Sequence, residues 1–225
     1  MMQNWLRITF LHWRYAPQAL AARLPAGLEI DTFEGSAWVG LTPFELTGLR
    51  PPFLPPLPHL SRFPETNLRT YVRERDGSRG IWFFSLDAAR AAAVAGARIG
   101  YGLPYAWSRM QISAGSGRTE YLSRRLWPDR IAGSEIAIEP GGDTENSGLA
   151  AFLVERYRLY STIAGRLTYT PVEHPPWLLK NAALVRLEQS ITQAAGLGVP
   201  EGRPLIYFSE GVRARIGMWR PARIN

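Results

Sequence analysis

Residues 65–88, ETNLRTYVRERDGSRGIWFFSLDA, decide the fold class. Two runs of extended character flank Asp76-Gly77, a dipeptide suited to a tight hairpin turn. Side chains alternate across a strand, so Glu65, Asn67, Arg69 and Tyr71 share one face of the first run. The second run, GIWFFSL, is almost wholly apolar and aromatic. A strand bearing a carboxylate, an amide, a guanidinium and a phenol is either the solvated face of a sheet or the wall of a polar cavity. The apolar partner favours the interior, where Arg69 would hold a carboxylate through its planar fork.

The same β character recurs on both sides. Residues 5–13, WLRITFLHW, read as a strand, and 17–24, PQALAARL, as a short helix with Pro17 in its first turn. Residues 28–41 predict a hairpin turning at Glu34-Gly35, with Leu28, Ile30 and Thr32 running up and 37–41 running back. The proline-crowded stretch 48–64 cannot donate to a ladder and reads as an extended, packed flap. Residues 88–97 are Ala-rich and predict a helix capped from Ser85-Leu86-Asp87. A further hairpin spans 107–127, with its tip at Gly115-Ser116-Gly117. Residues 128–147 are polar and Gly-rich, a loop or an irregular strand. Then follow a helix and strand over 149–161, a strand ending in a proline turn over 165–177, and a β-like tail over 204–219. Residues 182–196 fit helix and strand equally. No repeat and no linker divides the 225 residues, which predicts one β-rich α+β domain with a few short helices.

Composition removes several functions. There is no cysteine, hence no disulfide, thiolate metal site or cysteine nucleophile. Three histidines, none spaced i, i+4, make a His-rich metal site an unpromising reading, and no metal or cofactor is expected. No Rossmann, P-loop, nucleophile-elbow or H-E-x-x-H motif is present. No apolar run reaches a membrane span, and the first residues lack the pattern of a signal peptide, so a cytoplasmic protein is expected. A net charge of +7 invites nucleic acid, but the arginines are scattered and no run exceeds two. A small-molecule ligand is the expected partner, and self-association into a homo-oligomer stays open.

Other candidates sit in apolar surroundings. Tyr101 and Tyr105 flank a Gly and a Pro, followed by Arg109, and either form a pocket wall or pack at a strand entrance. Glu155 and Arg156 read as a structural ion pair. His174 precedes two prolines that would hold it rigidly, as a general base or as a satisfied structural residue. His12 reads as a buried or rim hydrogen-bonding residue.

In order, FLHW (10–13), LPAGLEIDTFEGSAWVG (24–40), FPETNLRTYV (63–72), GIWFFSLDA (80–88), ARIGYGLPY (97–105), FLVERY (152–157) and HPPW (174–177) resemble the bacterial DUF2071, or YqjF-like, family. The resemblance covers nearly the whole chain. That family is grouped with acetoacetate decarboxylase-like proteins, which implies a curved antiparallel sheet forming a partly closed barrel around a cavity. Those decarboxylases use a lysine pair to form a Schiff base. The matching segment here is Gly102-Leu103-Pro104-Tyr105-Ala106, without lysine, and the chain's one lysine is Lys180. The resemblance therefore implies a cavity protein without that machinery. Its ligand would be a small carboxylate or carbonyl compound held by Glu65, Asn67, Arg69, Tyr71, Tyr101, Tyr105 and Arg109. The alternative is an enzyme working by acid–base chemistry of a lyase or hydrolase type on a small keto or carboxylic acid, through Glu65, His174 or Tyr105.

Overall fold

The computed structural model describes residues 1–50, 61–146 and 148–222. Its elements are β1 (Met2–Tyr15), α1 (Pro17–Ala21), β2 (Glu29–Ile30), β3 (Ala37–Arg50), β4 (Arg62–Arg73) and β5 (Arg79–Ala88). After these come α2 (Ala91–Tyr101), β6 (Tyr105–Gly115), β7 (Arg118–Trp127), β8 (Gly133–Thr144) and α3 (Leu149–Val154). The chain ends with β9 (Arg158–Ile163), β10 (Arg166–Glu173), β11 (Leu179–Gln189), α4 (Ile191–Ala194), β12 (Leu205–Ile216) and β13 (Arg220–Pro221). The flap expected over 48–64 falls mostly on residues 51–60, outside the described residues; its flanks are the ends of β3 and β4.

The described strands form one sheet, and nine of them close a ring: β5-β6-β7-β8-β11-β12-β1-β3-β4 and back to β5. Two short contacts close a second, smaller circuit. Leu159 and Tyr160 of β9 pair in parallel with Ile81 and Trp82 of β5. Val172 and Glu173 of β10 pair with Ile216 and Arg215 of β12. Strands β9 and β10 thus bridge the arc β5-β4-β3-β1-β12 on its other side. Pairing is antiparallel except for β5–β6 and β5–β9, and α2 is the crossover that a parallel β5–β6 pair requires.

This topology explains why the arc strands are apolar almost throughout. Along β1, Ile8 and Phe10 enter one core while Leu11 and Trp13 enter another. Along β3, Trp38, Phe44 and Leu46 face the first core, and Ala37, Val39 and Leu41 the second. Strands covered on both sides read as continuous hydrophobic runs. The second core fills the nine-strand ring with Leu68, Tyr121, Ile136, Ile138 and Phe208. The first lies under β9 and β10, and the cavity described below opens within it.

Two local expectations need correction. Residues 28–32 do not pair with 37–41: β2 joins β4 through Glu29–Arg73 and Ile30–Val72. Both edges of β3 are already taken by β1 and β4, so only the Phe33–Ser36 bridge survives around Glu34-Gly35. The helix near 88–97 begins at Ala91 after Arg90, without a side-chain cap. Asp87 instead stays in β5, fully buried, with Arg125 Nη2 at 2.7 Å. The hairpins at Asp76-Gly77 and Ser116-Gly117 form as expected, and residues 182–196 resolve into the end of β11 followed by α4.

Candidate functional site

Period-two alternation sends Glu65, Asn67 and Arg69 of β4 to the same side, into a cavity of about 110 Å³. Its apolar wall comes from Ile8, Phe44, Ile81, Phe83, Leu159 and Val172. Glu65, Asn67 and Arg69 are each at most 9% exposed, which is rare for such residues unless something satisfies them.

The C-terminus of α3 organises the cationic end. A helix leaves its last carbonyls without intrahelical donors. Here Arg156 Nε donates to the Phe152 carbonyl at 2.8 Å, Arg69 Nη2 to Leu153 at 3.2 Å, and Trp177 Nε1 to Val154 at 3.1 Å. Three consecutive carbonyls therefore fix three cavity side chains. Below them lies Tyr71, with the Arg156 guanidinium 5.1 Å and the Arg69 guanidinium 5.8 Å from its ring centre. Its hydroxyl shares a 2.6 Å hydrogen bond with His12 Nε2. Burial, aided by the charge of Arg69, holds His12 well below the usual histidine range, so this support is a neutral imidazole.

The two arginines differ in their partners. Arg156 pairs with Asp31 at 2.7 Å, both nearly inaccessible to solvent. Among the described residues Arg69 has no carboxylate partner, and its Nε makes no hydrogen bond. Arg156 Nη2, Asn67 Oδ1 and Thr42 Oγ1 are equally unsatisfied. All four side chains line the cavity. Unsatisfied buried donors and acceptors cost free energy, and a polar guest would recover it.

The proton-handling end is Glu65. The Tyr105 hydroxyl, from the first residue of β6, donates to Glu65 Oε2 at 3.1 Å. Burial pushes the Glu65 carboxyl up to about 7, against the opposing pull of hydrogen bonds from Tyr105 and Asn67. Burial and the neighbouring Glu65 charge raise Tyr105 well above the ordinary phenol range. Both protonation states of Glu65 are thus accessible near neutrality.

Six of the candidate site residues line the cavity together: Glu65, Asn67, Arg69, Tyr101, Tyr105 and His174. Half-buried His174 stacks on Tyr157 with ring centres 4.8 Å apart, and its Nδ1 faces the Pro175 carbonyl at 2.8 Å. Tyr71 is fully buried behind the wall and does not line it. Arg109 is misplaced by the sequence reading. Only the start of β6 reaches the cavity; further along, the strand belongs to the nine-strand ring alone, and Arg109 is exposed opposite Arg124. Arg156 was read as the ion partner of Glu155 but turns to Asp31, while Glu155 accepts from the Trp177 backbone N–H at 3.0 Å. Lys180 lies on β11, away from the cavity, with Glu210 at 2.9 Å. Gln3, Thr42, Trp5 and Trp177 also line the site without an individual sequence signal. Among the described residues no three His, Asp or Glu side chains come together as a metal site, and no helix is long and apolar enough to cross a membrane.

Solved structures of similar architecture include acetoacetate decarboxylases. The enduracididine biosynthesis enzyme MppR, complexed with pyruvate, superposes at TM-score 0.70 with 14% identity, covering 98% of this chain and 89% of its own. An acetoacetate decarboxylase-like enzyme from Sphingomonas wittichii RW1 gives 0.69 with 13% identity, covering 99% and 92%. Acetoacetate decarboxylase from Legionella pneumophila gives 0.67 with 14% identity, covering 97% and 86%. The fold class is therefore that of the acetoacetate decarboxylases. Within it, the chain belongs to DUF2071, described as an uncharacterized conserved protein, which it matches over residues 2–213. The protein YqjF of Bacillus subtilis (strain 168) is 40% identical over 213 residues, spanning 93% of this chain and 87% of YqjF.

Proposed function

We propose that the cavity binds a small molecule bearing a carboxylate or carbonyl group. The observation that carries this is Arg69: a buried guanidinium in the cavity wall, without a carboxylate partner and with Nε unsatisfied among the described residues. A charge kept in such a place calls for an anion. Arg69 anchors the carboxylate; Asn67 and Thr42 hydrogen-bond the remaining polar atoms; Tyr101 and His174 complete the wall. The pyruvate complex of MppR supports this reading in kind.

A lysine Schiff base plays no part, because the chain's one lysine is Lys180, on β11 and paired with Glu210. A second reading, catalysis by acid–base chemistry, draws on one observation. A buried carboxyl at about 7, hydrogen-bonded to a tyrosine, suits removing a proton from a bound keto or carboxylic acid and returning it elsewhere. In that reading Glu65 moves the proton and Tyr105 steadies the carboxylate form.

A thermal-shift panel of small carboxylic and 2-oxo acids, followed by turnover assays on every hit, tests both. Stabilisation by acids that Arg69→Met abolishes is the expected result. No stabilisation by any acid, or shifts that Arg69→Met leaves intact, removes the binding reading; hits without turnover remove the catalytic one.

A further inference from the structure

We infer that the ligand is an aromatic monocarboxylate, its carboxylate on Arg69 and its flat ring against the indoles of Trp177 and Trp5. The inference rests on the reading that the cavity takes a carboxylate, and it names which kind.

Charge sets the number of anionic groups. Of the charged side chains lining the cavity, Arg156 is already paired with buried Asp31, and Glu65 holds Tyr105 and Asn67. Of these side chains, Arg69 alone lacks an anionic partner among the described residues, so one carboxylate balances it. A second carboxylate placed beside Glu65 or against Ile81, Phe83 and Leu159 would have no countercharge, and the other cation at the wall, the Met1 ammonium, already donates to the Ile216 carbonyl at 2.7 Å.

Aromatic side chains begin directly beside that charge. Arg69 and Trp177 donate to successive carbonyls, Leu153 and Val154, which places guanidinium and indole side by side. The Phe10 ring touches both: it lies 5.5 Å from the Arg69 guanidinium and 5.1 Å from the Trp177 ring, edge-on to the latter. Trp177 stacks parallel to Trp5 at 6.2 Å, tilted 9°, and His174 sits 5.2 Å from Trp177. Trp5 meets Phe44 edge to face at 6.1 Å. Trp5, Phe44, His174 and Trp177 all line the cavity. A carboxylate on Arg69 therefore carries its substituent into a set of ring faces and edges. There a planar ring gains edge-to-face and offset contacts that an alkyl group does not make. Pyruvate would satisfy the cation and leave the aromatic wall uncovered.

Isothermal titration of the intact protein with benzoate, pyruvate, benzamide and cyclohexanecarboxylate tests this, with intrinsic tryptophan fluorescence as a second readout. Benzoate is expected to bind at least tenfold more tightly than pyruvate and severalfold more tightly than cyclohexanecarboxylate, and to quench the tryptophans. Benzamide, which keeps the ring but lacks the charge, is expected to lose at least tenfold. Arg69→Met should bring benzoate and benzamide to similar, weak affinity. If pyruvate equals or exceeds benzoate while Arg69→Met still abolishes its binding, the aromatic inference is wrong and the carboxylate reading stands. Cyclohexanecarboxylate matching benzoate refutes the flat-ring part. Binding of none of the acids overturns both. The comparison among wild-type ligands decides the matter even if a variant fails to fold.

Discussion

The Tyr105 hydroxyl reaches Glu65 from a strand that does not neighbour β4 in the closed ring, donating to its carboxylate at 3.1 Å inside the cavity. The pair meets because α2 carries the chain back to lay the first residues of β6 beside Leu86, Asp87 and Ala88, the last of which pairs with Glu65.

That burial has a sign. Glu65 in the fold is raised from 4.5 to about 7, so its protonated form is the one the fold prefers. The favourable contribution is complete below pH 4.5 and is lost as pH rises to about 7. The loss is up to about 3 kcal/mol at 1.36 kcal/mol per pH unit. Glu65→Gln is therefore expected to flatten the stability profile between those limits and to be more stable than wild type at pH 8. Denaturant unfolding at several pH values measures it.

Tyr105→Phe removes a hydrogen bond that favours the ionised carboxylate. The Glu65 midpoint should move above 7, visible as an upward shift in the carboxyl titration by carbon NMR. An unchanged or lower midpoint would mean that Tyr105 does not stabilise the anion.

Asp31→Asn leaves Arg156 as a buried cation without its counterion, 4% exposed at the side chain. A loss of about 3–5 kcal/mol in urea unfolding is expected, since one partner of a buried pair is removed and the other stays. Arg69→Met should cost less, because among the described residues no carboxylate is left behind.

Gly40→Ala places a methyl 3.0 Å from the His12 ring and 3.3 Å from the Tyr71 hydroxyl. His12 is 1% exposed and has nowhere to swing, so overpacking of about 1–3 kcal/mol is expected. Tyr71 supports both arginines, so acid-induced thermal shifts should shrink as well. Full ligand response in this variant would show that the support beneath the arginines is dispensable.

Lys180→Met should leave acid binding unchanged. Borohydride with a β-keto acid should deposit no adduct on Lys180 by peptide mass mapping.

Much of the site was legible because a period of two is a strong local signal. Glu65, Asn67 and Arg69 read as one face before any neighbour was known, and they are one face. Arg109 lies outside the site because the cavity wall ends after Tyr105, and the Gly and Pro that set Tyr101 and Tyr105 at that wall say nothing about the strand beyond it. Arg156 was missed for a different reason. Its partner Asp31 is 125 residues away in sequence, and adjacent Glu155 offered a nearer but wrong explanation. The 28–41 hairpin failed because turn chemistry sets the turn, while the pairing depended on which edges β1 and β4 had already taken.

The arc from β5 to β12 is a party wall: one side bounds a filled room and the other a hollow one. Its backbone cannot bow to admit a larger guest without opening gaps in the packed neighbour, where close packing tolerates little. Relatives with other ligands should therefore reshape the hollow side by exchanging side chains on that wall, or by altering β9, β10 and α3, which seal the hollow room alone.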